Sequence, residues 1–193
     1  MSYIRKYEYK LLPDKSYEVI RNCSGCGKKT NYINTGCFRV NANGNLVDIW
    51  LIYQCKTCKH TWNMTIYERV NKRSVSKMEF EGFAENSKKL AFAYGTNRDN
   101  FVRNRAEIDW NSISYTIEAD NVYVREGVSA IQNGDMIIIH NESHIKVRGE
   151  RLLSELLNIS RTKVKKLLIY KNFILRMQEG KILIECNKMP DLH

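Results

Sequence analysis

Proline is scarce in this 193-residue chain, with two residues in all against ten glycines. No stretch rich in Pro, Gly or Ser divides it into loosely tethered modules. Nor does it hold a low-complexity tract, or an internal repeat beyond two short cysteine pairs, so its parts are expected to pack together. Long apolar runs are missing too. The longest, Leu51-Ile52-Tyr53, Ile137-Ile138-Ile139 and Leu167-Leu168-Ile169-Tyr170, fall far short of the ~20 residues that cross a bilayer, so no membrane partner is expected. The opening Met1-Ser2-Tyr3-Ile4-Arg5-Lys6 carries charge but no apolar block or small-residue cleavage site behind it. The expectation is a cytoplasmic protein whose six cysteines are reduced. Acidic residues are outnumbered, 21 against 31 Lys plus Arg, and the formal charge of +10 points to an acidic partner. A hydrophobic share of 43% excludes a disordered polyelectrolyte and leaves room for a core.

Catalytic signatures are absent as well. The sequence contains no Walker loop, no Gly-x-Ser-x-Gly, no dinucleotide fingerprint and no His-Glu-x-x-His. His140 and His144 lie four apart near Glu142, but in a segment that reads as a turn between strands, where residues four apart do not share a face. No enzymatic activity and no small-molecule substrate are expected.

What the chain has is cysteine in a pattern. Cys23-Ser-Gly-Cys26 and Cys55-Lys-Thr-Cys58 are separated by 28 residues. Two residues between thiolates let both sulfurs of a tight turn reach one ion, and two such turns close a tetrahedral site. Gly25 and Gly27 suit the backbone such a turn needs. Structural Zn²⁺ held by Cys23, Cys26, Cys55 and Cys58 is the expected cofactor. Its four thiolates would leave no open position for a catalytic water. A redox pair or disulfide staple is the alternative, but a redox pair calls for one Cys-x-x-Cys in a βαβ setting. His60 could replace one ligand. Cys37 and Cys186 have no partner spacing and read as small apolar side chains, or as substitute ligands.

The stretch between the pairs carries strands. Phe38 and Val40, then Leu46 to Tyr53, flank Ala42-Asn43-Gly44-Asn45, a hairpin signal, and His60 to Tyr67 alternates large residues after the second pair. A three-stranded antiparallel sheet clamped by two cysteine turns is a zinc ribbon. Farther on, Val75 to Ala106 reads as mostly helical, with a break at Gly95-Thr96-Asn97 and Asp99 as a cap. Ile113 to Ile117, Val122 to Val124 and Met136 to Ile139 alternate like strands, with turns at Gly127, Asn133-Gly134 and Asn141.

From Lys146 the composition shifts. Nine Lys or Arg stand against two Glu between Lys146 and Arg176, most of the net charge of the chain. Leu152, Leu153, Leu156 and Leu157 stripe one face of a helix over Glu150 to Leu157, which Asn158 can end in a left-handed conformation. Ser160 sits where an N-cap belongs, opening a helix over Arg161 to about Tyr170, with Val164, Leu167 and Leu168 on one side and cations on the other. Phe173 to Leu175, a turn at Glu179-Gly180 and Lys181 to Ile184 read as a closing hairpin. A helix with several exposed cations tracks phosphates. The residues expected to do so are Arg148, Arg151, Arg161, Lys163, Lys165, Lys166 and Lys171. Arg98, Arg103 and Arg105 could extend the surface, and Tyr32, Phe38, Trp50 and Trp62 offer stacking faces or, alternatively, ribbon core.

Two resemblances follow from these residues. Arg151-Leu152-Leu153, Ile159-Ser160-Arg161-Thr162-Lys163-Val164-Lys165-Lys166-Leu167-Leu168 and Phe173-Ile174-Leu175 resemble the RNA-binding module of ribosomal small-subunit protein four. The chain has Leu153 where that family has Asp, and Asn172 near its Gly. The resemblance implies binding of structured RNA. The same stretch also resembles a DNA-reading helix-turn-helix. More broadly, Cys23-x-x-Cys26, Phe38-Arg39-Val40-Asn41-Ala42-Asn43, Asp48-Ile49-Trp50-Leu51-Ile52-Tyr53 and Thr61-Trp62-Asn63 are similar to a bacterial family, domain of unknown function 1062. That likeness implies no activity.

The expected fold is α+β in three parts: a zinc ribbon over residues 1–74, a mixed helical and strand region over 75–145, and a basic helix-turn-helix with hairpin over 146–193. The expected function is non-catalytic nucleic-acid binding, RNA favoured over DNA, with the helix-turn-helix transcription regulator as the alternative.

Overall fold

The computed structural model describes residues 4–120, 131–178 and 180–189. The α+β class holds: two five-stranded sheets and five helices, with strand predominating among the described residues. The chain falls into two compact units, residues 13–114 and residues 1–12 with 115–193. The second sheet recruits a strand from the N-terminal end of the chain, so one unit is discontinuous in sequence.

In the 13–114 unit the sheet order is β5-β4-β3-β2-β6, with antiparallel registers throughout. Strand β2 is Val19–Cys23, β3 Lys28–Asn43, β4 Leu46–Cys55, β5 Thr61–Asn71 and β6 Glu107–Ile108. The expected hairpin is there, with Asn43 facing Leu46 across Gly44-Asn45. Gly44 takes the first central position at φ +60°, where a two-residue turn matching the strand twist needs glycine. Strand β3 begins ten residues before the expected start at Phe38, because its polar opening, Lys28-Lys29-Thr30-Asn31, is paired with β2. Tertiary pairing here overrides a sequence that looks like loop.

Three helices cover this sheet. Helix α1 spans Lys77–Ala84, α2 Lys88–Thr96 and α3 Arg98–Arg103. Each opens on an N-cap side chain that satisfies a free amide: Ser76 on Glu79, Ser87 on Leu90 and Asn97 on Asp99. The cap of α3 is thus Asn97, not Asp99, and the helix ends at Arg103, three residues short of Ala106. Ser76-Lys77-Met78-Glu79 has the Ser-x-x-Glu form of a capping box. The core is aromatic: Phe38 meets Phe83 edge-on at 4.8 Å, and Phe101 sits 5.8 Å from Tyr17 and 6.3 Å from Tyr53.

The other unit carries the order β7-β1-β8-β10-β9. Strand β1 (Lys6–Pro13) runs parallel to β8 (Met136–His140), Tyr7 opposite Ile137. Strand β10 (Lys181–Cys186) lies antiparallel to both β8 and β9 (Phe173–Gln178), and β7 is Tyr115–Ala119. The expected Val122 to Val124 strand, the Gly127 turn and Glu179 lie outside the described residues. Helices α4 (Gly149–Leu157) and α5 (Arg161–Ile169) match expectation. Leu152, Leu153 and Leu157 are buried, Asn158 turns left-handed at φ +51°, and the Ser160 hydroxyl accepts from the Lys163 amide. Buried Asn141 closes its own turn, accepting from Ile145 N–H and donating to Ile145 C=O.

Gly95 marks the tightest approach in the 13–114 unit. A Cβ there would lie 2.5 Å from Ser16 Oγ and 2.6 Å from Asn34 Nδ2, while its carbonyl accepts from Tyr17 N–H. Gly95→Ala should therefore destabilise the protein by about 1–3 kcal/mol despite the better helix propensity of alanine, measurable by denaturant unfolding.

Candidate metal centre and basic surface

The two cysteine turns are built alike. Gly27 N–H donates to Cys23 C=O and Lys59 N–H to Cys55 C=O, at 2.8 and 3.1 Å. In each turn the residue after the second cysteine takes a positive φ, +65° at Gly27 and +66° at Lys59. Turns of this form aim both sulfurs to the same side. The four Sγ atoms all lie within 4.8 Å of one another, with Cys23 to Cys58 at 3.4 Å and Cys26 to Cys55 at 3.8 Å. A tetrahedron with metal–sulfur bonds of ~2.3 Å has sulfur–sulfur edges of ~3.8 Å, so the set fits one ion. No pair is a disulfide. Gly25 is part of the fit, since a Cβ there would stand 2.9 Å from the Cys58 sulfur.

Neighbours that no spacing rule identifies hold these sulfurs. Thr30 Oγ1 lies 3.1 Å from Cys55 Sγ. Its hydrogen bond, against the effect of burial and with help from the amides of Cys58 and Thr57, pulls that thiol down to about 5. A hydrogen bond from the Tyr32 hydroxyl likewise lowers Cys23. Cys26 is pushed up to about 12, first by its hydrogen bond to Cys58 and then by burial. A divalent cation held among the four sulfurs would ionise all of them. Such an ion would be held by Cys23, Cys26, Cys55 and Cys58, which close its coordination shell, with Thr30 and Tyr32 as outer donors. His60 is not in the cluster; its Nε2 meets Ser24 Oγ at 3.0 Å. Cys186 is buried, and Cys37 is half-buried with its thiol facing the Thr35 carbonyl.

The cation-rich residues of the other unit differ from one another in ways the sequence does not reveal. Arg161, Lys165, Lys166 and Lys171 are exposed, and none enters an ion pair among the described residues. Arg148 is exposed at the N-cap of α4, and Lys163 is half-buried. Arg151 is already engaged: it pairs with Glu155 at 2.8 Å and lies 4.8 Å over the Tyr115 ring. Of the aromatics offered as stacking faces, Tyr32 and Phe38 belong to the core. Trp50 and Trp62 are half-buried, and Arg21 covers Trp62 at 4.1 Å. His140 pairs with Glu8 at 3.0 Å and, with Asp120, forms a second group close enough to share an ion; Lys10 already occupies Asp120 at 2.6 Å.

A buried carboxylate anchors the second cysteine turn. Glu18, 4% exposed, accepts from Lys56 at 2.8 and 3.0 Å, from Asn31 at 3.1 Å and from Lys15 at 3.1 Å. Burial alone would raise its pKa, but these bonds outweigh it and hold the carboxyl below its ordinary 4.5. A carboxylate lowered in the folded state stabilises fully above the unfolded value and loses that contribution as pH falls through the folded one. Glu18→Gln should cost about 2 kcal/mol at neutral pH. The gap from the unaltered protein should close as acid is added below the ordinary glutamate range, read from thermal unfolding at a series of pH values.

The sequence profile of the family described as Protein of unknown function (DUF1062) matches residues 40–179. No curated protein and no solved structure matches the chain significantly. The matched span takes in the second cysteine pair, the three helices over the first sheet and the basic helix pair, well over half the sequence. The chain belongs to the DUF1062 family.

Proposed function

We propose that this protein is a non-catalytic RNA-binding protein in which a structural zinc ion ties the two cysteine turns and helix α5 holds phosphates. On this reading the cysteine-clamped sheet is a zinc ribbon, elaborated by two further strands and three helices. The α4–α5 pair with its hairpin corresponds to the ribosomal-type RNA module. One observation carries the proposal: the exposed row of Arg161, Lys165 and Lys166, without an ion-pair partner among the described residues, on a helix whose opposite side, Val164 and Leu167, is buried. A cationic face with no acidic partner among the described residues suits a polyanion. The choice of zinc rests on four sulfurs in a closed tetrahedral set, the donor chemistry of structural zinc sites.

The metal is tested first. The protein purified under reducing conditions should carry about one zinc per chain by elemental analysis, and Cys55→Ser should abolish it. Removing the ion should raise hydrogen exchange in the two cysteine turns far more than around Phe83 and Phe101, whose aromatic packing does not depend on it. A protein free of any metal would defeat this part.

RNA binding is tested by salt. The triple change Arg161→Glu, Lys165→Glu, Lys166→Glu should weaken binding to a labelled RNA hairpin and reduce the slope of log affinity against log salt by about 2, with the circular dichroism spectrum unchanged. A flat salt dependence in the unaltered protein would sink the RNA reading. Tighter, sequence-dependent binding to duplex DNA would instead favour the helix-turn-helix regulator.

A further inference from the structure

Helix α5 ends on an aromatic side chain that the fold leaves in the open. Nine tyrosines are described, five buried and three half-buried; Tyr170 alone is exposed, at 77%. Its ring meets no other ring or cation and its hydroxyl makes no hydrogen bond among the described residues. Ile169 beside it is 75% exposed. Two large apolar side chains in water at the end of a helix gain nothing for folding.

The backbone beneath them is fixed. Tyr170 N–H donates to Lys166 C=O at 2.9 Å, Asn172 N–H to Leu167 C=O at 2.9 Å, and Asn187 Nδ2 holds the Lys171 carbonyl at 3.0 Å. Lys171 itself turns left-handed at φ +54°. Tyr170 thus stands on a rigid corner. Around it the cations are arranged by helical spacing. Lys166 lies one turn back on the same ridge, Arg161 and Lys165 run along the neighbouring ridge to Ile169, and Lys171 follows directly.

We infer that Tyr170 is a stacking platform for an unpaired base, so that the RNA this surface takes is single-stranded or looped rather than continuous duplex. This rests on the RNA-binding reading above and specifies its ligand. In a duplex, base faces are covered by their neighbours and only phosphates and groove edges are presented, so an exposed ring finds nothing to stack on. An unpaired nucleotide offers a free π-face together with the phosphates on either side, which an aromatic ring flanked by lysines matches in both respects. Stacking is sequence-tolerant, so the preference is for RNA form over base identity.

The test uses the full-length, metal-replete chain with three labelled RNAs: a mixed-sequence single strand, a hairpin with an open loop, and a blunt duplex of the same length. Tyr170→Leu should weaken single-strand and loop binding roughly ten- to hundredfold while leaving the duplex affinity and the salt slope as they were, because no charge changes. Tyr170→Phe, which keeps the π-face, should restore binding to near the unaltered level. Photocrosslinking of a halogenated-uridine single strand should place the adduct on the peptide containing Tyr170. Unchanged single-strand affinity in Tyr170→Leu, or an equal loss on all three RNAs, would overturn the inference while the charge-reversal result still stood. Absence of salt-dependent RNA binding by the unaltered chain would overturn both.

Discussion

Four sulfurs have to meet at one point although they come from two turns with 28 residues between them, and much of the 13–114 unit is arranged around that demand. A turn that delivers two sulfurs to one side needs a left-handed residue after the second cysteine. Glycine supplies it in one turn, and Lys59 accepts the less favourable geometry in the other. Close approach also forbids a side chain at Gly25, against Cys58. Thr30 and Tyr32 supply hydrogen-bond donors that favour the ionised form of Cys55 and Cys23. The turn bearing Cys55 and Cys58 is fixed from outside by Lys56 on the buried carboxylate of Glu18, which also ties in Asn31 of β3. One polar network thus joins the residue preceding β2 to β3 and the second cysteine turn.

That network does not carry the unit alone. A bare three-stranded ribbon has so little core that an ion would contribute on the order of 10 kcal/mol, effectively all of its stability. Here helices α1, α2 and α3 bring Phe83, Ala91 and Phe101 onto the sheet, and Phe38, Tyr17 and Tyr53 receive them. The sheet therefore has, in the aromatic packing along the strands beneath the helices, a source of order that does not depend on the cysteine turns. The effect of removing an ion from those turns is for that reason expected to be local rather than global.

Sequence reading succeeded where the cause of structure is local. The Gly44 turn, the Ser160 cap, the left-handed Asn158 and the leucine stripe of α4 each depend on residues within one or two turns of chain, and all are found in place. It failed where the cause is distant. Tyr7 pairs with Ile137, and nothing within reach of either residue announces it, so the discontinuous unit was illegible. The polar start of β3 and the two-residue β6 are strands only because β2 lies between them. At the cysteine site the four clustered cysteines were plain from their spacing. Glu18, Thr30 and Tyr32 were not, since a hydrogen bond to sulfur or to a lysine ammonium leaves no periodic trace.

The basic residues show most clearly why a count of charge is not a site. Arg151 and Arg161 look equivalent in sequence, but Arg151 is neutralised by Glu155, stacked on Tyr115 and so part of the fold. Arg161 and Lys165 stand four apart on one helix face with no acid paired to them among the described residues, an arrangement that costs an isolated helix about 0.2–0.5 kcal/mol. What keeps α5 helical against that repulsion is the Ser160 cap at one end, the Tyr170-to-Lys166 backbone bond at the other and the burial of Val164 and Leu167 between. The local cost is small beside the burial, and it is incurred on a face the fold itself does not use. An anionic strand laid along that face would turn the repulsion into attraction, and its affinity would owe as much to the rigidity of the helix beneath as to the charges upon it.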